Sequence, residues 1–148
     1  SVVSGVVNQL SHGPISIPCT FVLSVGGNDA LGHLDEINNL SLTDFFEIKE
    51  DFRKRYTRVL DSILDYEQPL IVCTIYNPNI PEPEIQKLAE AGLSFFNDVI
   101  TEESLRRKLP IIDLREVCSA PEAFANPIEP SEIGGDLISD AIIAKLPN

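Results

Sequence analysis

Short, mostly apolar runs alternate along this chain with segments of helical periodicity. The runs lie at about residues 20–25, 70–75 and 110–114. Runs that lack an alternation of polar residues are typical of strands buried on both faces of a parallel sheet. Between them, apolar residues recur every three or four positions, which is typical of one-sided helices. The pattern therefore predicts a parallel sheet whose strands are joined by right-handed helical crossovers.

Four helices are predicted, at residues 1–11, 44–65, 84–108 and 132–145. Ser41 and Asp44 resemble a capping box before the second helix. Ser131 is a favourable N-cap for the last helix. Residues 30–43 and 115–130 are predicted as loops. The expected buried faces are Phe45, Ile48, Phe52, Tyr56 and Ile63 in the second helix, Ile85, Leu88, Phe95, Val99 and Leu105 in the third, and Ile133, Leu137 and Ala141 in the fourth, where Gly134 and Gly135 predict a close approach to the sheet.

Two glycines and an Asn-Asp pair follow the first predicted strand. Gly26 and Gly27 allow a sharp turn, so Asn28 and Asp29 are expected at the carboxyl end of that strand. Open α/β sheets bind ligands at this edge. An Asn amide held there can donate a hydrogen bond to a developing oxyanion. The alternative is an ordinary turn in which Asn28 and Asp29 only cap the next segment.

Charge and hydropathy exclude two classes of partner. The net charge is −12 over 148 residues, so no basic surface is available to neutralise nucleic-acid phosphates. The densest basic group, Arg53, Lys54, Arg55 and Arg58, alternates with acids and is interpreted as a solvated helix face. No run approaches the length needed to span a bilayer, and the first residues do not form a signal peptide.

The three cysteines do not predict a disulfide framework or a metal site. Cys19, Cys73 and Cys118 are widely spaced, so free thiols in a reducing compartment are expected. Asp113 and Glu116 lie near Cys118, but no histidine accompanies them. No cofactor or metal is therefore predicted.

No residue of the chain is predicted as a nucleophile or an imidazole base. His12 is expected in a turn and His33 in a surface loop. Ser24 is expected to point into packing within its strand, and Ser4 is expected to be an ordinary helix residue. A reaction that needs an activated serine would then need a residue from elsewhere.

Two motifs resemble conserved blocks of the SGNH (GDSL) hydrolases. LSVGGNDA at 23–30 resembles the family's G-x-N-D block, whose Asn lines the oxyanion hole. NPIEPS at 126–131 resembles the block D-x-x-H followed by Pro-Ser. VCTIYNP at 72–78 and IIDLR at 111–115 resemble the strands between them. The resemblance implies a flavodoxin-like, three-layer α/β fold over residues 1–148, a single and incomplete domain, and a small ester substrate bound near Gly26 and Gly27.

The chain departs from the family pattern at its reactive positions. No Gly-Asp-Ser nucleophile block occurs. By the resemblance, Asn126 takes the position of the acid and Glu129 that of the histidine base. A carboxylate is a weaker base than an imidazole at neutral pH. Asn28, Asp29, Asn126 and Glu129 are the candidate catalytic residues that this comparison implies.

The departures also predict an incomplete sheet. The chain contains no methionine, so Ser1 is expected to follow a removed or unrecorded segment. The family's first two strands would precede it, and their absence would leave a bare apolar edge that recruits another strand. We therefore expect an N-terminal fragment or another chain to complete the sheet. Three functions remain open: an ester hydrolase inactive as this chain alone, a catalytically silent interaction subunit, and a ligand-binding domain without turnover.

Overall fold

The four predicted helices and three predicted strands are present and alternate along the chain, with two short helices in addition. The computed structural model describes residues 3–10, 17–32 and 39–147. The predictions for Ser1, His12 and His33 lie outside these residues. The helices are α1 (Val3–Leu10), α2 (Gly27–Leu31), α3 (Leu42–Leu64), α4 (Pro83–Arg106), α5 (Leu114–Val117) and α6 (Glu132–Lys145), the strands are β1 (Phe21–Leu23), β2 (Leu70–Cys73) and β3 (Ile111–Ile112), and a 3-10 turn covers Pro121–Ala123.

The three strands form one parallel sheet in the order β1-β2-β3. Val22 is in register with Ile71, and Cys73 is in register with Ile112. The parallel sheet is confirmed, but each strand is shorter than predicted. Ser24, expected inside the strand and packed, lies beyond β1 and is exposed.

Helices cover both faces of the sheet, and the side chains of β2 alternate between the two cores that these helices form with it. Leu70 and Val72 join the larger core with α1, α3 and α4. Ile71 and Cys73 join a smaller core against α5 and α6. Both sets of side chains are almost completely buried. This explains why the strand is apolar at every position.

The predicted start of α3 and most of its predicted buried face are confirmed, whereas Phe45 and Ile48 are only half-buried. The Ser41 hydroxyl accepts a hydrogen bond from the Asp44 N–H, and the Asp44 carboxylate accepts one from the Ser41 N–H. Phe52 and Tyr56 are fully buried in the larger core. Ile63 is buried as well. The local capping signal and the apolar spacing were therefore sufficient to place this helix.

The basic group on α3 is not a purely solvated face. Arg53 forms an ion pair with Glu103 of α4 at 2.9 Å, and Arg107 forms another with the same carboxylate at 2.7 Å. The Glu103 side chain is only 2% exposed. Burial raises its pKa, but hydrogen bonds from Arg107 and Arg53 outweigh burial and hold the pKa below its usual value. The interpretation was wrong because the partners lie about fifty residues away along the chain.

The predicted buried face of α6 is only partly right, because Ala141 packs against the smaller core as expected but the other two predicted residues do not. Ile133 and Leu137 are exposed, whereas Ile138 and Ile142 pack against the smaller core. A Cβ added at Gly134 would lie 2.1 Å from the Ala123 carbonyl oxygen, so this glycine approaches the 3-10 turn and not the sheet. The apolar residues of this helix cover a wide arc, and its periodicity alone therefore could not select the buried part of that arc.

The predicted face of α4 is also only partly right. Val99 is buried, but Ile85 and Leu105 are among the exposed apolar residues. The buried positions include polar ones, Asn97, Glu103 and Ser104. Because polar residues occupy some of the buried positions, the apolar residues alone did not mark the buried face of this helix.

The two predicted loops also contain helical residues. α2 extends to Leu31, inside the predicted loop 30–43, and α5 extends to Val117, inside the predicted loop 115–130.

Candidate functional site

A pocket of about 170 Å³ opens at the carboxyl ends of β1 and β2. It lies between α3 and α4, and the loop after the 3-10 turn contributes one apolar residue, Ile128. Ser24 and Asn28 line the pocket from the segment after β1, and Thr74 and Tyr76 line it from the segment after β2. The pocket therefore lies at the carboxyl ends of the strands, where the sequence predicts a ligand site.

The turn after β1 depends on a glycine with a positive φ. Gly26 has φ +111°, a conformation that L side chains rarely adopt. A Cβ at this position would also lie 3.1 Å from the Phe52 ring. Gly27 follows in the first turn of α2 and lines the pocket with Asn28. The glycine pair thus places an exposed Asn28 at the pocket.

Asp29 faces the opposite way and is buried. Its carboxylate accepts a hydrogen bond from the Val3 N–H of α1 at 2.8 Å and forms an ion pair with Arg55 of α3. Asp29 is not among the residues that line the pocket. This carboxylate therefore anchors the turn to two helices and leaves the neighbouring Asn28 accessible.

The second motif forms a loop held mainly by its own hydrogen bonds. The Asn126 side-chain oxygen accepts from the backbone N–H groups of Ile128 and Glu129, at 3.0 and 2.9 Å. Its amide nitrogen donates to the Glu129 carboxylate at 2.6 Å. Both side chains are exposed. Asn126 and Glu129 are thus brought together, with Glu129 engaged by its own loop.

Tyr76 connects this loop to the pocket. Its hydroxyl donates to the Ile128 carbonyl at 3.0 Å, and both residues line the cavity. Burial raises the pKa of Tyr76, and the nearby Cys118 and Glu129 raise it further. The second motif therefore reaches the rim of the pocket that Asn28 lines.

The buried side-chain amide of Asn97 on α4 supports the backbone of a residue that lines the pocket. The Asn97 side chain accepts from the Ile75 N–H at 2.7 Å and donates to the Ile75 carbonyl at 2.9 Å. Asn97 is 1% exposed. It satisfies both backbone groups of a residue just beyond β2, where sheet pairing has ended. The sequence did not indicate this role for Asn97, since its only signal was an Asn inside an apolar helix face.

Thr74 links the ends of β2 and β3. Its hydroxyl donates to Asp113 at 2.9 Å and accepts from the Leu114 N–H at 2.9 Å. Arg115 holds the pKa of Asp113 down at about 2, against the effect of burial. Asp113 is therefore a structural anion between β3 and α5.

The structure shows no metal-binding cluster and no disulfide among the described residues. No group of three or more His, Cys, Asp or Glu side chains there is placed to hold a metal ion. Cys19, Cys73 and Cys118 are free, as predicted. Burial raises the pKa of Cys73 to about 11, so this thiol is unreactive at neutral pH. In the same part of the chain, no helix is long and apolar enough to cross a membrane.

Ser24 lies at the pocket without a base. It is exposed, and no hydrogen bond from its hydroxyl to a described basic group is present. Ser4 is an exposed residue of α1, as expected of an ordinary helix position. Within the described residues, the site therefore combines an exposed amide with an apolar cavity and no activated nucleophile.

Known structures share this fold. An acetyl xylan esterase, AlAXEase, superposes with a TM-score of 0.71 at 16% identity over 99% of this chain and 77% of its own. Phospholipase A1 from Streptomyces albidoflavus gives a TM-score of 0.70 at 11% identity with the same coverage. An extracellular lipase from Streptomyces rimosus gives 0.62 at 13% identity over 95% of this chain and 76% of its own. These similarities establish a hydrolase-like α/β fold.

Comparisons of sequence add nothing to the structural similarity. No protein-family model matches the chain, and no curated protein matches it.

Proposed function

We propose that this chain forms the oxyanion-binding part of an SGNH-type ester hydrolase and does not turn over substrate by itself. The observation that carries the proposal is the position of Asn28. It is exposed at the carboxyl end of β1 and lines an apolar pocket. The fold is shared with a phospholipase, an esterase and a lipase, which supports acyl transfer as the reaction class.

In this proposal Asn28 stabilises the charge that develops on the ester carbonyl oxygen. A preorganised amide donor is worth more in a water-poor site, where competing hydration is reduced. The apolar walls of the pocket supply such surroundings. Asp29 has a positioning role, since its contacts with Val3 and Arg55 hold the turn that presents Asn28.

The nucleophile is proposed to come from a segment outside this chain that also pairs with β1. Among the described residues, β1 is paired only with β2, so its other edge is open. Val22 on this strand is 37% exposed although it belongs to an apolar run. An open, apolar edge favours pairing with a further strand. A parallel strand beside β1 would place its carboxyl end near Asn28, and a serine there could attack the bound ester.

A fluorophosphonate probe tests the proposal in the full-length parent protein. We expect one labelled serine outside residues 1–148, detected by mass spectrometry of the digested protein. The absence of any labelled serine would remove the hydrolase proposal. A label on Ser24 would contradict the claim that the nucleophile lies outside this chain.

Replacement of the proposed oxyanion donor should give a large kinetic effect. In the full-length parent protein, we expect Asn28→Ala to lower kcat on a p-nitrophenyl ester by about 10²–10³, because one oxyanion donor is lost. Asn79→Ala is the matched control, since Asn79 is exposed and does not line the pocket. Equal activity of the two variants would contradict the role of Asn28.

A second candidate function is a catalytically silent subunit of a larger assembly. The hydrogen bond between Asn126 and Glu129 favours it, because the carboxylate at the proposed base position is already engaged. The upstream sequence of the parent separates the two candidates. A Gly-Asp-Ser after an apolar strand would favour catalysis, and its absence would favour a silent interaction role.

A further inference from the structure

The buried lining of the pocket is mostly apolar, and polar groups lie at its exposed rim. Apolar residues such as Leu93 line it and are buried, with Thr74 as a buried polar neighbour. Ser24 and Asn28 line it and are exposed, beside the exposed apolar residue Ile128. A ligand with an apolar body and one polar group would match this lining.

The size of the pocket selects among apolar ligands. Its volume is about 170 Å³. An apolar protein cavity of about 150 Å³ holds one benzene molecule, so this pocket has room for roughly six carbon atoms. An acetyl group would leave most of the volume empty, and the acyl chain of a membrane lipid would exceed it. The three related folds therefore do not decide the substrate, and the volume of the cavity favours an acyl group of intermediate size.

Two small residues of α4 keep the pocket open. Ala89 and Gly92 are three positions apart, so they share one face of the helix, and both line the cavity. Glycine is unfavourable in the interior of a helix. Both residues are buried, so larger side chains at these positions would extend into the space between α4 and α3.

We propose that the pocket binds an acyl group of about six carbons, with its carbonyl group at Asn28. This inference rests on the proposed function for the identity of the ligand as an acyl group, but binding itself requires no turnover. Lys49 is the charged residue among the described residues that line the pocket, and its ammonium group is already paired with Asp98 at 3.2 Å, which favours a neutral ligand over a free carboxylate.

Two methyl ketones test the proposal, because they mimic the acyl group and cannot be hydrolysed. Acetone presents an acetyl group and 2-heptanone presents a hexanoyl group. Backbone amide NMR titration of the full-length protein should show 2-heptanone binding at least tenfold more tightly. Each added methylene can tighten binding by at most about fourfold, because the burial of one CH₂ contributes ~0.8 kcal/mol. Shifts should centre on Asn28 and Gly92. Equal affinities, or shifts confined to α6, would overturn the proposal.

Substitutions in α4 provide a matched pair. Ala89→Leu should fill the cavity and reduce the preference for 2-heptanone over acetone to less than about twofold, since the chain no longer enters. Ala91→Leu adds the same side chain at an exposed position of the same helix and should leave the preference unchanged. A folded Ala89→Leu protein that keeps the preference would overturn the proposal.

A second variant keeps the test decisive if Ala89→Leu does not fold. Phe45 is half-buried and lines the pocket from α3, so Phe45→Ala should lengthen the cavity and shift the preference towards 2-undecanone. An unchanged preference for 2-heptanone would count against the pocket as the chain-binding site.

The outcomes separate this inference from the proposed function. Selective 2-heptanone binding without a fluorophosphonate-labelled serine would refute hydrolysis and retain the acyl-chain site. A labelled serine with equal binding of both ketones would retain hydrolysis and refute the acyl-chain site.

Discussion

The two motif loops of this protein are held in place by different kinds of contact. In the turn at residues 26–29, Asp29 binds Val3 and Arg55, each 26 positions away along the chain. In the loop at 124–131, the bonds of Asn126 reach only two or three residues ahead. The first loop is anchored by the tertiary structure, and the second is built mostly from local hydrogen bonds.

This difference shows where each loop is vulnerable. Loss of a contact in the first turn exposes buried polar groups on other helices, so its cost should spread through the larger core. Loss of a contact in the second loop leaves exposed groups that water can satisfy. Its tertiary ties include the hydrogen bonds that the Tyr76 hydroxyl and the Asn79 N–H donate to the carbonyls of Ile128 and Pro127. The close approach of Gly134 to Ala123 adds another tie beside the loop.

The largest loss of stability is expected for Asp29→Ala. The change leaves the Val3 N–H buried without its acceptor and removes one carboxylate from Arg55. We expect the free energy of unfolding to fall by about 3 kcal/mol, measured by urea denaturation.

Asp51 offers a matched control on the same arginine. Its carboxylate pairs with Arg55 but is 67% exposed. Asp51→Ala should change the free energy of unfolding by less than about 0.5 kcal/mol. Similar losses in the two variants would show that Asp29 is not a buried anchor.

A smaller loss is expected for Gly134→Ala, which tests the tertiary tie beside the second loop. The added Cβ would lie 2.1 Å from a backbone oxygen, so either α6 or the 3-10 turn must shift. We expect a loss of about 2 kcal/mol, visible as a lower urea midpoint. Gly135→Ala meets no atom within 4 Å and should stabilise the helix by about 0.5–1 kcal/mol. The decisive result is a lower free energy of unfolding for Gly134→Ala together with a higher one for Gly135→Ala.

The smallest effect is expected for Asn126→Ala. The lost hydrogen bonds are exposed, so the free energy of unfolding should fall by no more than about 1 kcal/mol. Amide hydrogen exchange should accelerate at Ile128 and Glu129 and remain unchanged at Asp29. A loss as large as that of Asp29→Ala would abolish the distinction between the two loops.

Local signals predicted much of the fold. The Ser41 capping box and the spacing of Phe52, Tyr56 and Ile63 placed α3 within a few residues. The Ser131 cap and the bounds of α6 were also right. These features depend on neighbours within about four positions, which the sequence displays directly.

The site could be predicted only in part. The glycine pair and Asn28 indicated a turn at the strand edge, and the pocket lies there. Asn97 was missed because a single polar residue in a helix gives no sign of the backbone groups that it satisfies. The roles of Asn28, Asn126 and Glu129 in catalysis stay predictions.

The sequence by itself determined the order of the four predicted helices and three strands and the parallel sheet, because apolar spacing and caps act over a few residues. Only the tertiary structure decided which of two adjacent side chains, Asn28 or Asp29, faces the pocket and which is buried. That choice depends on Arg55 and on the Val3 N–H, which approach Asp29 only after α1 and α3 have packed together.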